Sequence, residues 1–149
     1  MGVDGLLKFL QPIIKKEHLS SFRGKTAAID IMSWLYRSLY NSADQMREDP
    51  QSIAFLFYLH QMIDLLEYYQ IKIICIFDGR FLKHKATTIN KRITAREYNK
   101  KKGEELIEKG DEESGNKIIN RCIYVNEHVL STTMRVLKGR NIRYIVSPY

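Results

Sequence analysis

Three short apolar runs stand along the chain, separated by stretches in which hydrophobic residues recur with helical spacing. Thr26-Ala27-Ala28-Ile29-Asp30 reads as a strand ending in a carboxylate. Ile71-Lys72-Ile73-Ile74-Cys75-Ile76-Phe77 reads as a second, β-branched strand closed by an Asp78-Gly79 turn. Residues 142–146 predict a third strand. Between the first two, residues 33–46 have helical spacing, with Trp34, Leu35, Leu39 and Ala43 on one face. Asp49-Pro50 breaks that pattern, and residues 51–69 predict a long helix. Residues 5–10 start a short helix that Pro12 disturbs, and residues 129–138 predict a helix capped by Gly139. Short apolar strands alternating with helices predict an α/β fold: a parallel sheet with helices on both faces and right-handed crossovers.

Residues 81–124 interrupt this alternation. They are helical by propensity but hold few apolar anchors, chiefly Ile89, Ile93, Leu106, Ile107, Ile118 and Ile119. Such helices are expected to project from the core or stay mobile until a partner binds. Charge sharpens the picture here. Of the 149 residues, those from Lys83 to Lys102 include eight Lys or Arg and one Glu, so this segment alone carries +7, the net charge of the whole chain. A charge so concentrated reads as a surface for an anion; the plain alternative is a solvated helix face.

The remaining composition mostly excludes. A hydrophobic content of 44% suffices for one core and rules out a disordered chain. Cys75 and Cys122 lack the spacing of a zinc site or a disulfide framework, and fit a reducing compartment. His18, His60, His84 and His128 are scattered without ligand spacing. No apolar run reaches membrane length and the N-terminus lacks a secretory pattern, so no membrane partner is expected.

Ligands of open parallel sheets gather at the carboxyl ends of the strands. Asp30 ends the first strand and Asp78 the second, so both carboxylates are expected at one rim. Paired carboxylates repel unless a cation neutralises them, and hard oxygen donors favour magnesium or manganese over zinc. Each has a plainer role: Asp78-Gly79 makes an ordinary turn, and Asp30 can cap the following helix. Lys85 and Arg92, two helical turns apart, share one face of the basic helix, and Arg96 extends it. A carboxylate rim beside a cationic helix suits phosphodiester cleavage, with simple backbone-phosphate contact as the alternative.

These residues resemble the flap endonuclease (Rad2/XPG) nuclease family. The opening Met1-Gly2-Val3-Asp4-Gly5-Leu6-Leu7, Phe22-Arg23-Gly24-Lys25 through Asp30, Trp34-Leu35-Tyr36-Arg37 and Ile76-Phe77-Asp78-Gly79 are similar to its first two metal-ligand regions. Ser147-Pro148-Tyr149 looks like the lead-in to its Glu-Ala-Asp motif. Trp34 and the Ser-Pro-Tyr ending resemble the exonuclease branch more than the flap-endonuclease branch. The resemblance implies a PIN-like 5′-nuclease fold with a protruding helical arch, truncated at the C-terminus. It divides the chain into an N-terminal nuclease region over 1–99 and, over 100–149, the arch remainder and an incomplete internal nuclease region.

By the same resemblance, Asp30 and Asp78 hold two magnesium ions, with manganese as a substitute, and Lys85 and Arg92 are the catalytic cations. Gly2, Tyr36, Arg96, Lys100, Lys101 and Lys102 contact DNA. Met32 departs from the aromatic that exonuclease relatives place there to stack on DNA, so either Tyr36 supplies the stacking or Met32 packs. The implied activity is 5′ to 3′ exonuclease and 5′-flap cleavage on DNA with a free 5′ end, nick, gap or flap. The implied setting is repair in the nucleus, with mismatch-repair proteins as partners through further C-terminal regions. With two of about seven family carboxylates, this chain alone is expected to bind metal weakly and to be inactive. The alternatives are a flap endonuclease, a junction resolvase or a PIN-type ribonuclease on the same scaffold, and a non-catalytic DNA-binding module.

Overall fold

The computed structural model describes residues 5–79 and 86–148. Its elements run α1 (Leu6–Leu10), a 3-10 turn at Gln11–Ile13 with Pro12 at its start, β1 (Thr26–Asp30), α2 (Ile31–Asn41), α3 (Ala43–Glu48), α4 (Leu56–Tyr68), β2 (Lys72–Phe77), α5 (Ala86–Glu108), α6 (Glu112–Asn120), α7 (Glu127–Gly139) and β3 (Arg143–Val146). The three strands form a parallel sheet in the order β1-β2-β3.

Strand order decides which face is covered. Both crossovers step the same way across the sheet, so two right-handed crossovers lay their helices on one face. Ala27 and Ile29 of β1 and Ile73, Cys75 and Phe77 of β2 face those helices, packing with Ile31, Leu35, Leu39, Phe55, Leu59, Ile63, Val129 and Leu137. Each such large side chain contributes about 1.5–3 kcal/mol by leaving water. The opposite face stays open among the described residues: Ile76 is 37% and Ile145 43% exposed. The expected cover on both faces therefore holds for one only.

Two helices depart from the predicted pattern. The predicted helix over 33–46 is two, divided at Ser42, whose backbone leaves the helical region and whose hydroxyl donates to Ser38 O at 2.9 Å. The helix predicted from 51 begins at Leu56. Asp49 Oδ1 accepts the Gln51 N–H at 2.9 Å and Ser52 Oγ accepts the Ala54 N–H at 3.2 Å, so these side chains hold the backbone in turns.

Strands β2 and β3 are launched by one device. Gln70 and Asn141 take positive φ (56° and 57°), and the next residues donate back, Ile71 N to Leu66 O and Ile142 N to Leu137 O, each at 2.9 Å. This is the helix-ending motif with a left-handed residue. Asn141 fills that position after α7, whereas Gly139, the predicted cap, is the last helical residue. Arg140 ties this corner to α4, donating to Asp64, to Glu67 at 2.7 Å and bonding His60 Nδ1 at 3.1 Å.

The basic segment forms α5, which packs chiefly on α6. α5 and α6 form a hairpin at a very close crossing, where Gly103 meets Gly115. A β-carbon on either would stand under 3 Å from the other's carbonyl oxygen. Glycine was an unfavourable choice for either helix interior and is explained by this approach.

Candidate functional site

Asp30 and Asp78 arrive at the same rim. In the β1–β2 register Asp30 pairs with Ile76, so Asp78, two residues on, follows on the same face. One strand spacing and a two-residue rise put the two Cα atoms about 8 Å apart. Both residues are exposed. Asp30 also serves as the N-cap of α2, its Oδ1 accepting the Met32 N–H at 3.0 Å. One carboxylate oxygen is thus committed to the helix and the other is left for a ligand.

The exit of β3 is pinned beside them. Ser147 N donates to Phe77 O at 2.9 Å, and Ser147 O lies where a β-carbon of Gly79 would be, 1.5 Å away. Gly79 is therefore required by close backbone approach rather than by turn geometry alone.

Beyond the rim, α2 and the base of α5 enclose a hollow of about 310 Å³ lined by Tyr36, Arg92, Ala95, Arg96, Asn99, Arg121 and Cys122. Tyr36 lies six residues, about 9 Å, along the helix that Asp30 caps. It is 46% exposed. The Arg96 guanidinium sits 5.0 Å above the Tyr124 ring, which orients it without consuming its charge. Three arginines with no acidic residue among the lining make a site for an anion, and Tyr36 adds an aromatic surface.

Not all the expected residues join this hollow. Lys100 lies on the next groove along and pairs with Glu104 at 3.9 Å. Lys101 and Lys102 are exposed and do not line it. Met32 is half-buried against the core, so packing is its role. Gly2, Lys85 and His84 lie outside the described residues. Sequence reasoning missed Arg121 and Asn99. Arg121 stands outside the basic run and reaches the hollow only because α6 folds back on α5; no sequence spacing signals it.

The XPG N-terminal domain family matches residues 1–99. The chain belongs to that family. Exonuclease 1 of Drosophila melanogaster is 30% identical over all of this chain and 20% of that protein. Exodeoxyribonuclease 1 of Schizosaccharomyces pombe is 31% identical over all of this chain and 26% of that protein. The chain thus spans between a fifth and about a quarter of the length of these two relatives. The catalytic core of Rad2 in complex with DNA substrate matches 99% of this chain and 38% of that one, with a TM-score of 0.65 and 20% identity. At that identity the likeness establishes a shared fold: a parallel sheet flanked by helices.

The XPG-family rim fits a divalent metal in kind. Its donors are hard carboxylate oxygens on one face, and Asp30 keeps one free. Among the described residues, no group of three or more His, Cys, Asp or Glu gathers to hold a metal. Among the described histidines, His18 bonds Ser20 at 2.9 Å, His60 bonds Arg140, and His128 packs edge-on to Phe55 with its Nε2 buried and unpartnered.

Proposed function

We propose that this chain forms part of a magnesium-dependent nuclease that hydrolyses DNA phosphodiesters at or near a 5′ end, as a 5′ to 3′ exonuclease that also cuts flaps. The observation that carries the reading is one arrangement. Two same-face carboxylates stand at the sheet rim, and the helix that one of them caps presents Tyr36 to a hollow ringed by Arg92, Arg96 and Arg121. The names of the exonuclease relatives support the same activity.

Asp30 and Asp78 would hold the metal, which supplies an activated water and offsets charge on the leaving oxygen. Arg92 draws the phosphate toward the rim and stabilises its growing charge. Tyr36 stacks on a terminal base, and Arg96 and Arg121 grip neighbouring phosphates without reading sequence. Lys85 shares the role of Arg92, and Gly2, Lys100, Lys101 and Lys102 add backbone contacts; these assignments rest on the family resemblance. So do a nuclear setting, a place in mismatch repair and recombination, and partners from mismatch repair. With two carboxylates gathered, these residues by themselves are expected to bind metal weakly and turn over little DNA.

A second reading, a module that holds DNA without cutting it, is favoured by the finding that, among the described residues, no third carboxylate gathers with Asp30 and Asp78. One experiment separates the two. The protein carrying this chain is incubated with magnesium and a 5′-recessed duplex, beside Asp30→Ala and Asp78→Ala. Cleavage lost in both variants, with binding retained, supports the nuclease. Binding without cleavage in the unaltered protein supports the holding module. Cleavage that survives both substitutions defeats the metal assignment.

A further inference from the structure

α6 presents Arg121 at its C-terminal cap, and its seat on the body is narrow. Asp44 Oδ1, on α3, accepts from Asn120 Nδ2 at 3.0 Å and from Arg47 Nη2 at 3.3 Å. Arg47 Nη1 donates to Asn116 Oδ1 at 2.7 Å. Asp44 and Arg47 are one turn apart on α3, as Asn116 and Asn120 are on α6, so two short helical edges meet through four side chains. Behind them runs a groove of about 310 Å³, with Ala43, Met46 and Pro50 on one side and Ile119, Ile123 and Tyr124 on another. Asn120 Oδ1 is buried there without a partner. A seat with an unfilled groove and an unsatisfied amide is not a close-packed core; the polar contacts, not packing, set its register.

We propose that Asp44 and Arg47 are positioning residues: with Asn116 and Asn120 they latch α6 onto α3, and so hold Arg121, with the α5 arginines beside it, against Tyr36 of α2. The latch opens reversibly. On the α3 side the latch is exposed, with Asp44 at 65% and Arg47 at 40%, so water competes for their bonds. Cys122 reports the opening. It is only 9% exposed, its Sγ donates to Ile118 O at 3.3 Å, and it lies between the arginine hollow and the groove. Lifting α6 from α3 uncovers its thiol. Cys75, inside β2, stays covered. The role in holding DNA rests on the nuclease reading above; the latch itself does not.

The test measures thiol labelling of Cys122 by an aromatic disulfide reagent, with Cys75 as an internal control for unfolding. Asp44→Ala removes two contacts and should speed Cys122 labelling roughly three- to tenfold while Cys75 stays slow. Asp44→Asn keeps an accepting oxygen and should restore most of the protection. Asn120→Ala should match Asp44→Ala, and the double variant should add little beyond either, as residues sharing one contact do. If Asp44→Ala exposes Cys75 as well, Asn116→Ala, which cuts the latch from the α6 side, takes its place. Unchanged Cys122 rates in Asp44→Ala and Asn120→Ala, or fully additive effects, overturn the latch.

Affinity of Arg121→Ala for a 5′-phosphorylated recessed duplex tests the DNA reading separately. Weakened binding with unchanged Cys122 rates in the latch variants keeps the DNA surface and rejects the latch. Faster labelling with Arg121→Ala binding normally keeps the latch and rejects its role toward DNA.

Discussion

Gly103 and Gly115 touch across the α5–α6 hairpin: a β-carbon on Gly103 would lie 2.9 Å from Gly115 O, and one on Gly115 would lie 2.7 Å from Gly103 O. The same added carbons would press on Ile119 and Ile107 at 2.6 and 2.5 Å. The isoleucine contacts fall on Cγ1, beside a branched β-carbon that is stiff in a helix, and the carbonyls cannot move without parting the helices. Crowding of this kind costs about 1–3 kcal/mol, against the roughly 1 kcal/mol that Ala gains over Gly in a helix. Gly115→Ala is therefore expected to lower the melting temperature, and Gly115→Val to lower it further. Gly139, helical but with nothing within 4 Å of an added carbon, is the contrast. Gly139→Ala should stabilise by up to about 1 kcal/mol. Thermal denaturation of the three variants decides; stabilisation by Gly115→Ala would mean that the crossing is looser than described.

Gly79 has the closest neighbour of the described glycines, with Ser147 O only 1.5 Å from where its β-carbon would stand. Backbone must move to admit even a methyl. Gly79→Ala should cost roughly 3 kcal/mol, the upper part of the overpacking range. It should also break the bond from Ser147 N–H to Phe77 O. Amide exchange at Ser147 should quicken more than exchange in the middle of β2. Equal protection in both proteins would count against the close approach.

Burial pushes the Cys75 thiol up to about 11 from its ordinary value of 9.0. The unfolded thiol ionises first as pH rises, so the unfolded state gains from alkaline pH before the folded state can. Stability from this group is whole below pH 9 and falls between pH 9 and 11. The loss reaches about 3 kcal/mol above that range, since each unit of pKa shift is worth roughly 1.4 kcal/mol. Urea denaturation from pH 8 to 11 should show the decline, and Cys75→Ala should flatten it relative to the native chain. Parallel slopes would place the alkaline loss elsewhere.

Much of the fold was legible in short stretches. The β-branched run at 71–77 and the carboxylate closing 26–30 needed only local periodicity, because strand interiors bury alternate or continuous apolar residues wherever they sit. The break at Ser42 and the non-helical stretch over residues 51–55 were not legible. They arise where single hydroxyl and carboxylate side chains bond nearby backbone N–H or C=O groups, and a hydrophobic pattern carries no record of such local bonds. The glycines of α5 and α6 looked like weak points of helices and proved to be their contact.

The candidate site divides the same way. Asp30, Asp78, Arg92 and the density of charge around them belong to the sequence, since strand ends and helical spacing are local properties of the chain. Tertiary structure alone decided that the two aspartates share a face, because that depends on the register of β1 against β2. It alone brought in Arg121, because α6 must fold back on α5 and seat against α3 before that guanidinium reaches Tyr36 and Arg92. Among the described residues it alone left one sheet face open, since the direction of both crossovers is set by strand order, and strand order is a choice among pairings that no single segment encodes.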